Sequence, residues 1–194
     1  METALGVLRA GGLIAFPTDT VYGVGASAID GEAIKRIFRA KGRSAEKSIP
    51  ILVAGWKDAG AVVTPNRFAE ELASVFWPGP VTLVVRRKET VPQGIGPGDT
   101  VGVRAPDHPV ALELLRSAGP LAATSANRSG EASSRTAAEV ADSLGGRIAV
   151  ILDGGACPGG RPSTVIDCTG PEPVLLRQGP ISIESVVAAW PRSH

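Results

Sequence analysis

The chain has 194 residues, of which 43% are hydrophobic and 20% are charged, and its formal net charge is +1. This length and composition suit a globular protein with one sizeable core, so we expect a single domain over residues 1–194. A protein that coats nucleic acid would need a larger basic excess, so any anion site must be local.

Short apolar segments alternate with amphipathic segments along the chain. The first predicted strand covers residues 13–16, and Asp30 is placed to cap a helix over residues 31–40. Thr136 and Glu139 match a capping box at the start of a later helix. Further strands are predicted at 49–53, 81–85, 101–104, 121–124, 148–152, 164–166 and 174–176, and further helical spacing at 68–76, 111–118 and 183–190. This order predicts a mixed α/β domain in which helices cover one sheet.

The two cysteines indicate a reducing compartment. Cys157 and Cys168 form no CxxC pair, and nothing else points to an oxidising environment, so we expect free buried thiols. Residues 1–5 lack the basic start and apolar run of a signal peptide. No segment approaches the roughly 18 apolar residues of a membrane span. We therefore expect a cytoplasmic enzyme or binding domain that does not enter a membrane.

The sequence lacks the common catalytic signatures. It contains no GxxxxGK[ST], no GxSxG, no HExxH and no GxGxxG after the first strand. Its histidines are His108 and the terminal His194, which makes a histidine-centred triad or zinc site a poor hypothesis. The remaining candidates for catalysis or ligand binding are hydroxyl groups and cationic side chains.

Six segments place a hydroxyl group or a cation near the end of a predicted element. They are residues 17–23, 41–47, 103–106, 123–134, 162–167 and 176–179. Each segment alone is compatible with ordinary turn chemistry. Their shared pattern favours a site for a small anionic ligand, because hydroxyl and backbone N–H groups at such corners hold carboxylates and phosphates.

The cations of this region divide into two groups. Lys35, Arg36 and Arg39 lie on the predicted helix and fit a solvated basic face. Lys41, Arg43 and Lys47 leave the helix for a glycine-containing loop, which fits an anion site better. A different cation, Arg104, ends an apolar strand. It must find an anion or water, and a ligand carboxylate or a structural Asp or Glu would serve.

Over nearly its whole length the sequence resembles the YrdC family. Seven segments match in family order: GGLIAFPTDTVYGVG, the KGR loop, FWPGPVTLVV, VGVRAPDHP, LAATSANRSG, PSTVID and LLRQGPI. The resemblance implies a twisted mixed β-sheet flanked by helices, with a basic concave cavity. It also implies synthesis of threonylcarbamoyl-AMP and pyrophosphate from L-threonine, bicarbonate or CO₂, and ATP. That adenylate supplies the N6-threonylcarbamoyladenosine modification of tRNA through downstream tRNA-modification proteins.

The resemblance also implies roles for individual residues. It assigns Lys41 and Arg43 to catalysis, with Lys41 facing the phosphates, and it makes Asn127 a support for Ser125. Mg²⁺ is expected to accompany ATP through phosphate oxygens rather than to occupy a dedicated protein site. L-Threonine is expected to contact Thr20, Leu52, Arg104, Ala123 and Ser163, with Leu52 and Ala123 acting through the backbone. ATP is expected to contact Arg43, Lys47, Thr100, Ser125, Ser133 and Arg177.

The chain departs from the family pattern in places. Ser44 stands where members often have Pro, residues 47–50 read KSIP, and Leu52 stands where some members carry His. Longer relatives add a second domain after a linker, and we expect none here.

Two other readings compete with this one. A basic concavity could bind double-stranded RNA or tRNA through phosphates without catalysis, although hydroxyl groups at strand ends suit small ligands better. An aromatic content of 4% argues against stacking on single strands. Alternatively, the chain could resemble the YrdC-type domain of hydrogenase-maturation carbamoyltransferases, which are larger and carry zinc-finger and acylphosphatase-like segments.

Overall fold

A computed structural model describes residues 1–44, 46–64, 66–159 and 161–190. These residues form seven α-helices, nine strands and one 3-10 helix. The helices are α1 (Glu2–Arg9), α2 (Gly31–Lys41), α3 (Trp56–Ala59), α4 (Arg67–Phe76), α5 (Pro109–Ala118), α6 (Ala137–Leu144) and α7 (Ile183–Ala189), and the 3-10 helix is Gln93–Ile95. The strands are β1 (Ile14–Phe16), β2 (Gly23–Ser27), β3 (Ile51–Leu52), β4 (Val81–Arg86), β5 (Thr100–Arg104), β6 (Leu121–Ser125), β7 (Val150–Ile151), β8 (Thr164–Asp167) and β9 (Val174–Arg177).

All nine strands belong to one mixed sheet. Their order is β7-β1-β2-β6-β3-β5-β4-β8-β9. The pairs β1–β7, β3–β5 and β4–β8 are parallel, and the other neighbouring pairs are antiparallel. A mixed sheet flanked by helices confirms the predicted fold class.

Both faces of the sheet are covered. Ile14 and Phe16 pack with Leu8 of α1 and Leu114 of α5 in one buried cluster. Ala15, between them on β1, belongs to the larger cluster on the other face. Because neighbouring side chains of a strand point to opposite faces, this alternation shows a layer of helices on each side.

The predicted caps of α2 and α6 are both confirmed. Asp30 Oδ1 accepts hydrogen bonds from the backbone N–H groups of Glu32 at 2.9 Å and Ala33 at 3.0 Å. Thr136 and Glu139 form the reciprocal capping box. The caps satisfy N–H groups that have no partner within the helix, and so they fix where each helix begins.

The local predictions were incomplete in several places. Helices α1 and α3 were not predicted, and the predicted strand over residues 148–152 pairs only at Val150–Ile151.

Two further differences concern the middle of the sheet. The predicted strand over residues 49–53 pairs only at Ile51–Leu52. Strand β2 was not predicted, because its sequence GVGAS contains two glycines, which are depleted in strands. Packing explains Gly25: a Cβ atom there would lie 3.1 Å from the carbonyl oxygen of Ala122 and 3.1 Å from Phe16 Cε1. The close approach of β1, β2 and β6 therefore leaves little room for a side chain at this position.

Cys157 and Cys168 are free and buried, as predicted. Burial raises the pKa of the Cys168 thiol to about 12, and the nearby Asp167 carboxylate adds to the effect. Within the described ranges, no helix combines the length and the apolar character needed to cross a bilayer.

Candidate active site

A cavity of about 360 Å³ lies where strand ends and loops meet beside the middle of the sheet. Its wall combines the corner after β1, the loop after α2 and the ends of β5, β6 and β9, together with the residues before β8. Nine of the residues predicted from the sequence line it: Thr20, Arg43, Leu52, Arg104, Ala123, Ser125, Ser133, Ser163 and Arg177. The fold therefore brings together segments that are far apart in the sequence, whereas their roles stay predictions.

Strand register explains why three of these residues converge. Leu52 on β3 is paired with Arg104 on the parallel strand β5. On the other side of β3, the backbone N–H of Ala123 donates to the carbonyl oxygen of Pro50 at 3.0 Å. Leu52, Arg104 and Ala123 thus form one stretch of the wall across three neighbouring strands.

Arg104 is held by three partners. Its Nε donates to the Gly79 carbonyl oxygen at 2.9 Å, its Nη1 donates to Thr20 Oγ1 at 3.3 Å, and its Nη2 forms an ion pair with Asp19 Oδ1. The side chains of Arg104 and Asp19 are only 8% and 13% exposed. Burial lowers the pKa of Arg104, the Asp19 carboxylate opposes that effect, and the neighbouring Arg177 lowers the pKa further. A guanidinium has five N–H donors, so two are left for a ligand.

The hydroxyl of Thr20 is oriented by Thr18. Thr18 Oγ1 donates to the carbonyl oxygen of Val21 at 2.7 Å, and it lies 3.0 Å from Thr20 Oγ1. Thr18 Oγ1 also accepts from the backbone N–H groups of Thr20 at 3.2 Å and Val21 at 3.3 Å, which fixes it beside the Thr20 hydroxyl. One lone pair of Thr20 Oγ1 accepts from Arg104, and the other is available to a donor such as an ammonium group.

Ser163 lies between Thr82 and Arg177. Its Oγ is 2.7 Å from Thr82 Oγ1 and accepts from Arg177 Nη2 at 3.1 Å. Arg177 also donates from Nε to the Ser163 carbonyl oxygen at 3.1 Å. These contacts fix the direction of the Arg177 guanidinium, and burial lowers its pKa.

Arg43 is the most weakly satisfied cation of the cavity. Its Nη2 donates to the Ser48 carbonyl oxygen at 2.9 Å. Its Nε is buried and has no hydrogen-bond partner among the described residues. Burial lowers the pKa of Arg43. Because a buried polar group without a partner is costly, this guanidinium is suited to receive an anion.

The cations of the cavity differ in charge balance. Arg104 is neutralised by Asp19. Within the described parts of the chain, no carboxylate lies within 4.0 Å of Arg43 or Arg177. Arg43 and Arg177 therefore supply the unbalanced positive charge of the cavity, and Arg177 lies close enough to Arg104 to lower its pKa.

Lys41 was expected to face the phosphates, but it does not line the cavity. It is 2% exposed, and its Nζ donates to the carbonyl oxygens of Ser125 and Asn127. Burial and, more weakly, the charge of Arg43 lower the pKa of Lys41 to about 8, against a small opposite effect of Glu131. The lysine supports the turn that follows β6, and its catalytic role stays a prediction.

Asn127 also supports this turn. Its backbone N–H donates to the Ser125 carbonyl oxygen at 3.0 Å, and its Nδ2 donates to the carbonyl oxygens of Arg128 and Glu131 at 2.8 and 2.9 Å. Ser125 itself lines the cavity. The expected support of Ser125 by Asn127 therefore takes the form of backbone fixation.

Lys47 and Thr100 do not line the cavity in the described structure. Lys47 is exposed in the loop after α2, and Ala45 of that loop lies outside the described residues. Thr100 begins β5 at the end of the strand opposite to Arg104. Their predicted contacts with ATP stay predictions.

No specific role was predicted for Asp19, Thr18 or Thr82. Asp19 and Thr18 belong to the conspicuous PTDT segment, but that segment does not reveal which cation the carboxylate meets. Thr82 lies in an apolar strand, where a single hydroxyl is a weak signal. Three or more His, Cys, Asp or Glu side chains arranged to hold a metal ion are not found in the described part of the chain.

Known proteins match this chain along most of its length. The model of the Sua5/YciO/YrdC family, described as "Telomere recombination", matches residues 6–179. A threonylcarbamoyl-AMP synthase from Pyrococcus abyssi is 48% identical over 190 residues, which are 96% of this chain and 56% of that protein. A putative threonylcarbamoyl-AMP synthase from Mycobacterium tuberculosis is 41% identical and covers 95% of this chain and 86% of its own length.

The fold agrees with these matches. The crystal structure of P. abyssi Sua5 complexed with L-threonine superimposes with a TM-score of 0.91 at 47% identity. The match covers 97% of this chain and 57% of that one, so this chain spans about half the length of that relative. On the family match and these identities, the chain belongs to the Sua5/YciO/YrdC family.

Proposed function

We propose that the chain is a nucleotidyltransferase that forms threonylcarbamoyl-AMP and pyrophosphate from L-threonine, bicarbonate or CO₂, and ATP. The observation that carries the proposal is a single cavity that contains one charge-balanced cation, Arg104, and two cations, Arg43 and Arg177, with no described carboxylate within 4.0 Å. Relatives that are 48% and 41% identical to the chain over the aligned residues are named threonylcarbamoyl-AMP synthase and putative threonylcarbamoyl-AMP synthase.

The surroundings of Arg104 suit a free amino acid. Two guanidinium N–H groups remain to bind the carboxylate of threonine, and charge-assisted pairs of this kind are strong. The free lone pair of Thr20 Oγ1 would accept from the amine, and Ser163 offers a hydroxyl nearby. Because Asp19 balances Arg104, a zwitterion fits these surroundings better than a polyanion.

The cations without a carboxylate partner suit a triphosphate. Arg43 has an unpartnered Nε, and no described carboxylate neutralises Arg43 or Arg177. Ser125 and Ser133 add hydroxyl groups to the same cavity. Mg²⁺ bound to the phosphates would neutralise part of their charge, and we assign no protein ligands to it.

The proposed reaction has two steps. The threonine amine attacks CO₂ with loss of a proton, or bicarbonate with loss of water, and forms a carbamate. A carbamate oxygen then attacks the α-phosphorus of ATP, and the bond to pyrophosphate breaks. Neither step forms a covalent enzyme intermediate, so no Ser, Cys or His nucleophile is required. Alignment of bound reactants contributes roughly 7–11 kcal/mol in favourable cases. One well-placed donor on the developing charge contributes about 3 kcal/mol.

Proteins that install N6-threonylcarbamoyladenosine in tRNA would use the product. We expect the synthesis to take place in the cytoplasm. No observation favours the alternative of an RNA-binding module without catalysis. The cavity instead is a concave site lined by several hydroxyl groups, which suits a small ligand.

Pyrophosphate release tests the proposal. The chain should release pyrophosphate from ATP only when threonine and bicarbonate are both present. Arg43→Ala should lower that rate at least about a hundredfold, because it removes a donor to the phosphates. Arg116→Ala, which removes an exposed arginine on α5, is the matched control and should keep the normal rate. Release that does not depend on threonine, or an active Arg43→Ala variant, would contradict the proposal.

A further inference from the structure

A second cavity, of about 450 Å³, lies outside the proposed active site and is lined by three arginines. Arg36 and Arg39 come from α2, and Arg147 comes from the segment between α6 and β7. The helix periodicity alone indicates that Arg36 and Arg39 belong to a solvated basic face. The structure adds Arg147 from a distant part of the sequence and places all three around one concave surface.

Two of the three guanidiniums are held in place by backbone carbonyl groups. Arg36 Nη1 donates to the Gly11 carbonyl oxygen, and Arg147 Nη1 donates to the Ala40 carbonyl oxygen at 3.2 Å. A neutral carbonyl oxygen fixes the direction of a guanidinium without neutralising it. Most N–H donors of both side chains therefore remain available to an anion.

Carboxylates balance this group poorly. No ion pair within 4.0 Å involves Arg36 or Arg147 in the described ranges. Arg39 reaches Glu32 only at 4.0 Å, with both side chains more than half exposed, and such pairs are weak. The Asp30 carboxylate lies nearby, since a Cβ atom on Gly11 would be 2.7 Å from Arg36 Nη1 and 3.0 Å from Asp30 Oδ2. Asp30 nevertheless forms no ion pair within 4.0 Å with Arg36, and its Oδ1 caps α2.

The shape of the surface favours a small phosphate group over a nucleic-acid backbone. Leu13 and Ala40 form a buried apolar floor, and the arginines stand around it. A contact with a nucleic-acid backbone requires cations spread along a track, whereas these three arginines border one cavity. Guanidinium groups bind phosphate with strong, directional hydrogen bonds.

We propose that this three-arginine cavity (Arg36, Arg39, Arg147) is a second anion site, which binds the phosphate group of a small ligand. The site is separate from the cavity that contains Arg104, Arg43 and Arg177. It does not depend on the proposed synthase activity.

Nuclear magnetic resonance of the nitrogen-15-labelled chain tests the proposal with inorganic phosphate as the probe, at constant ionic strength. Phosphate should produce saturable shifts of the Nε–H signals of Arg36 and Arg147 and of the Gly12 amide, which borders the cavity. Arg147→Gln and Arg36→Gln should each weaken this binding about tenfold, because each removes charged hydrogen-bond donors. Arg116→Gln has the same change of charge on α5 and should bind phosphate as the unmodified chain does.

Four outcomes would overturn the proposal. The first is the absence of saturable shifts at these signals, and the second is equal weakening by Arg116→Gln. The third is a response confined to the arginines of the first cavity. The fourth is a response of these signals to a short RNA duplex but not to phosphate, which would indicate a nucleic-acid contact instead. If Arg36→Gln loses its fold with the bond to Gly11, Arg147→Gln decides the question alone, with circular dichroism as the check of folding.

Discussion

Arg177 donates two hydrogen bonds to Ser163, one from Nε to the carbonyl oxygen and one from Nη2 to Oγ, both at 3.1 Å. Ser163 precedes β8 and Arg177 ends β9, so the antiparallel pairing of these strands holds the two residues together. The predicted threonine ligand Ser163 and the predicted ATP ligand Arg177 are thus direct neighbours. The two substrates are expected to meet at this pair.

Ser163→Ala tests the importance of this junction. The variant removes the acceptor of Arg177 Nη2 and the partner of Thr82 Oγ1. We expect the KM for threonine to rise about tenfold, since hydrogen bonds to charged groups contribute about 1.5–3 kcal/mol. Steady-state kinetics measure the effect, and Ser117→Ala on the exposed side of α5 is the control. A threonine KM equal to that of the control would remove Ser163 from the proposed site.

Asp19→Asn tests the ion pair with Arg104. The variant leaves a buried guanidinium without its counter-charge. We expect the free energy of unfolding to fall by about 1–3 kcal/mol. Threonine should then raise the melting temperature more than it does in the unmodified chain, because its carboxylate supplies the missing charge. Thermal unfolding with and without threonine measures both effects.

The control for this variant is Asp142→Asn, which changes an exposed carboxylate on α6. It should alter neither the stability nor the response to threonine. A threonine-induced shift in Asp19→Asn that is no larger than in the unmodified chain would argue against carboxylate binding at Arg104.

Lys41 should make stability depend on pH in a specific direction. Its pKa is about 8 in the folded chain and 10.5 as the ordinary value. Below pH 8 both the folded and the unfolded states hold the proton, so the cost of burying the charge is fully present. Between these two pKa values the folded state binds fewer protons than the unfolded state, so stability rises with pH.

The comparison with Lys41→Met isolates this effect. Between pH 8 and 10.5, the unmodified chain should gain on the order of 3 kcal/mol in unfolding free energy relative to Lys41→Met. Other titrating groups are common to both proteins and cancel in the difference. Lys57→Met, at an exposed position on α3, should show no such gain. A difference that does not vary with pH would show that Lys41 titrates normally.

Gly25→Ala tests the close packing beneath the cavity. The new Cβ atom would approach the Ala122 carbonyl oxygen and Phe16 Cε1 at 3.1 Å and the Cβ atom of Ala123 at 3.2 Å. We expect a loss of about 1–3 kcal/mol in unfolding free energy from overpacking. Gly6→Ala is the matched control, because a Cβ atom at Gly6 on α1 meets nothing within 4 Å. The control should gain roughly 0.5–1 kcal/mol from better helix propensity. Denaturant unfolding of both variants decides the matter, and equal stabilities would contradict the packing argument.

Structural features that depend only on neighbouring residues were predictable from the sequence. Asp30 and the pair Thr136 and Glu139 were recognisable as caps because a cap is set by residues within one helical turn. Most segments of the first cavity were recognisable as short motifs at the ends of predicted elements, but their individual residues were assigned through the resemblance to the YrdC family.

Contacts between distant segments were not predictable in the same way. The pairing of Asp19 with Arg104 depends on the order of strands in the sheet, and so does the contact of Arg147 with Ala40. Lys41 looked like a member of an exposed basic loop, but the fold buries it against the turn after β6. Tertiary packing determines these contacts, so the residues next to each position in the sequence do not predict them.

Mass spectrometry of the reaction product is the most direct test of the proposed synthesis of threonylcarbamoyl-AMP. The purified chain is incubated with ATP, L-threonine and bicarbonate labelled with carbon-13. We expect threonylcarbamoyl-AMP that carries the heavy carbon, with pyrophosphate as the co-product. We expect no threonylcarbamoyl-AMP when threonine is omitted. Consumption of ATP without this adduct, or an adduct that lacks the label, would contradict the proposed synthesis.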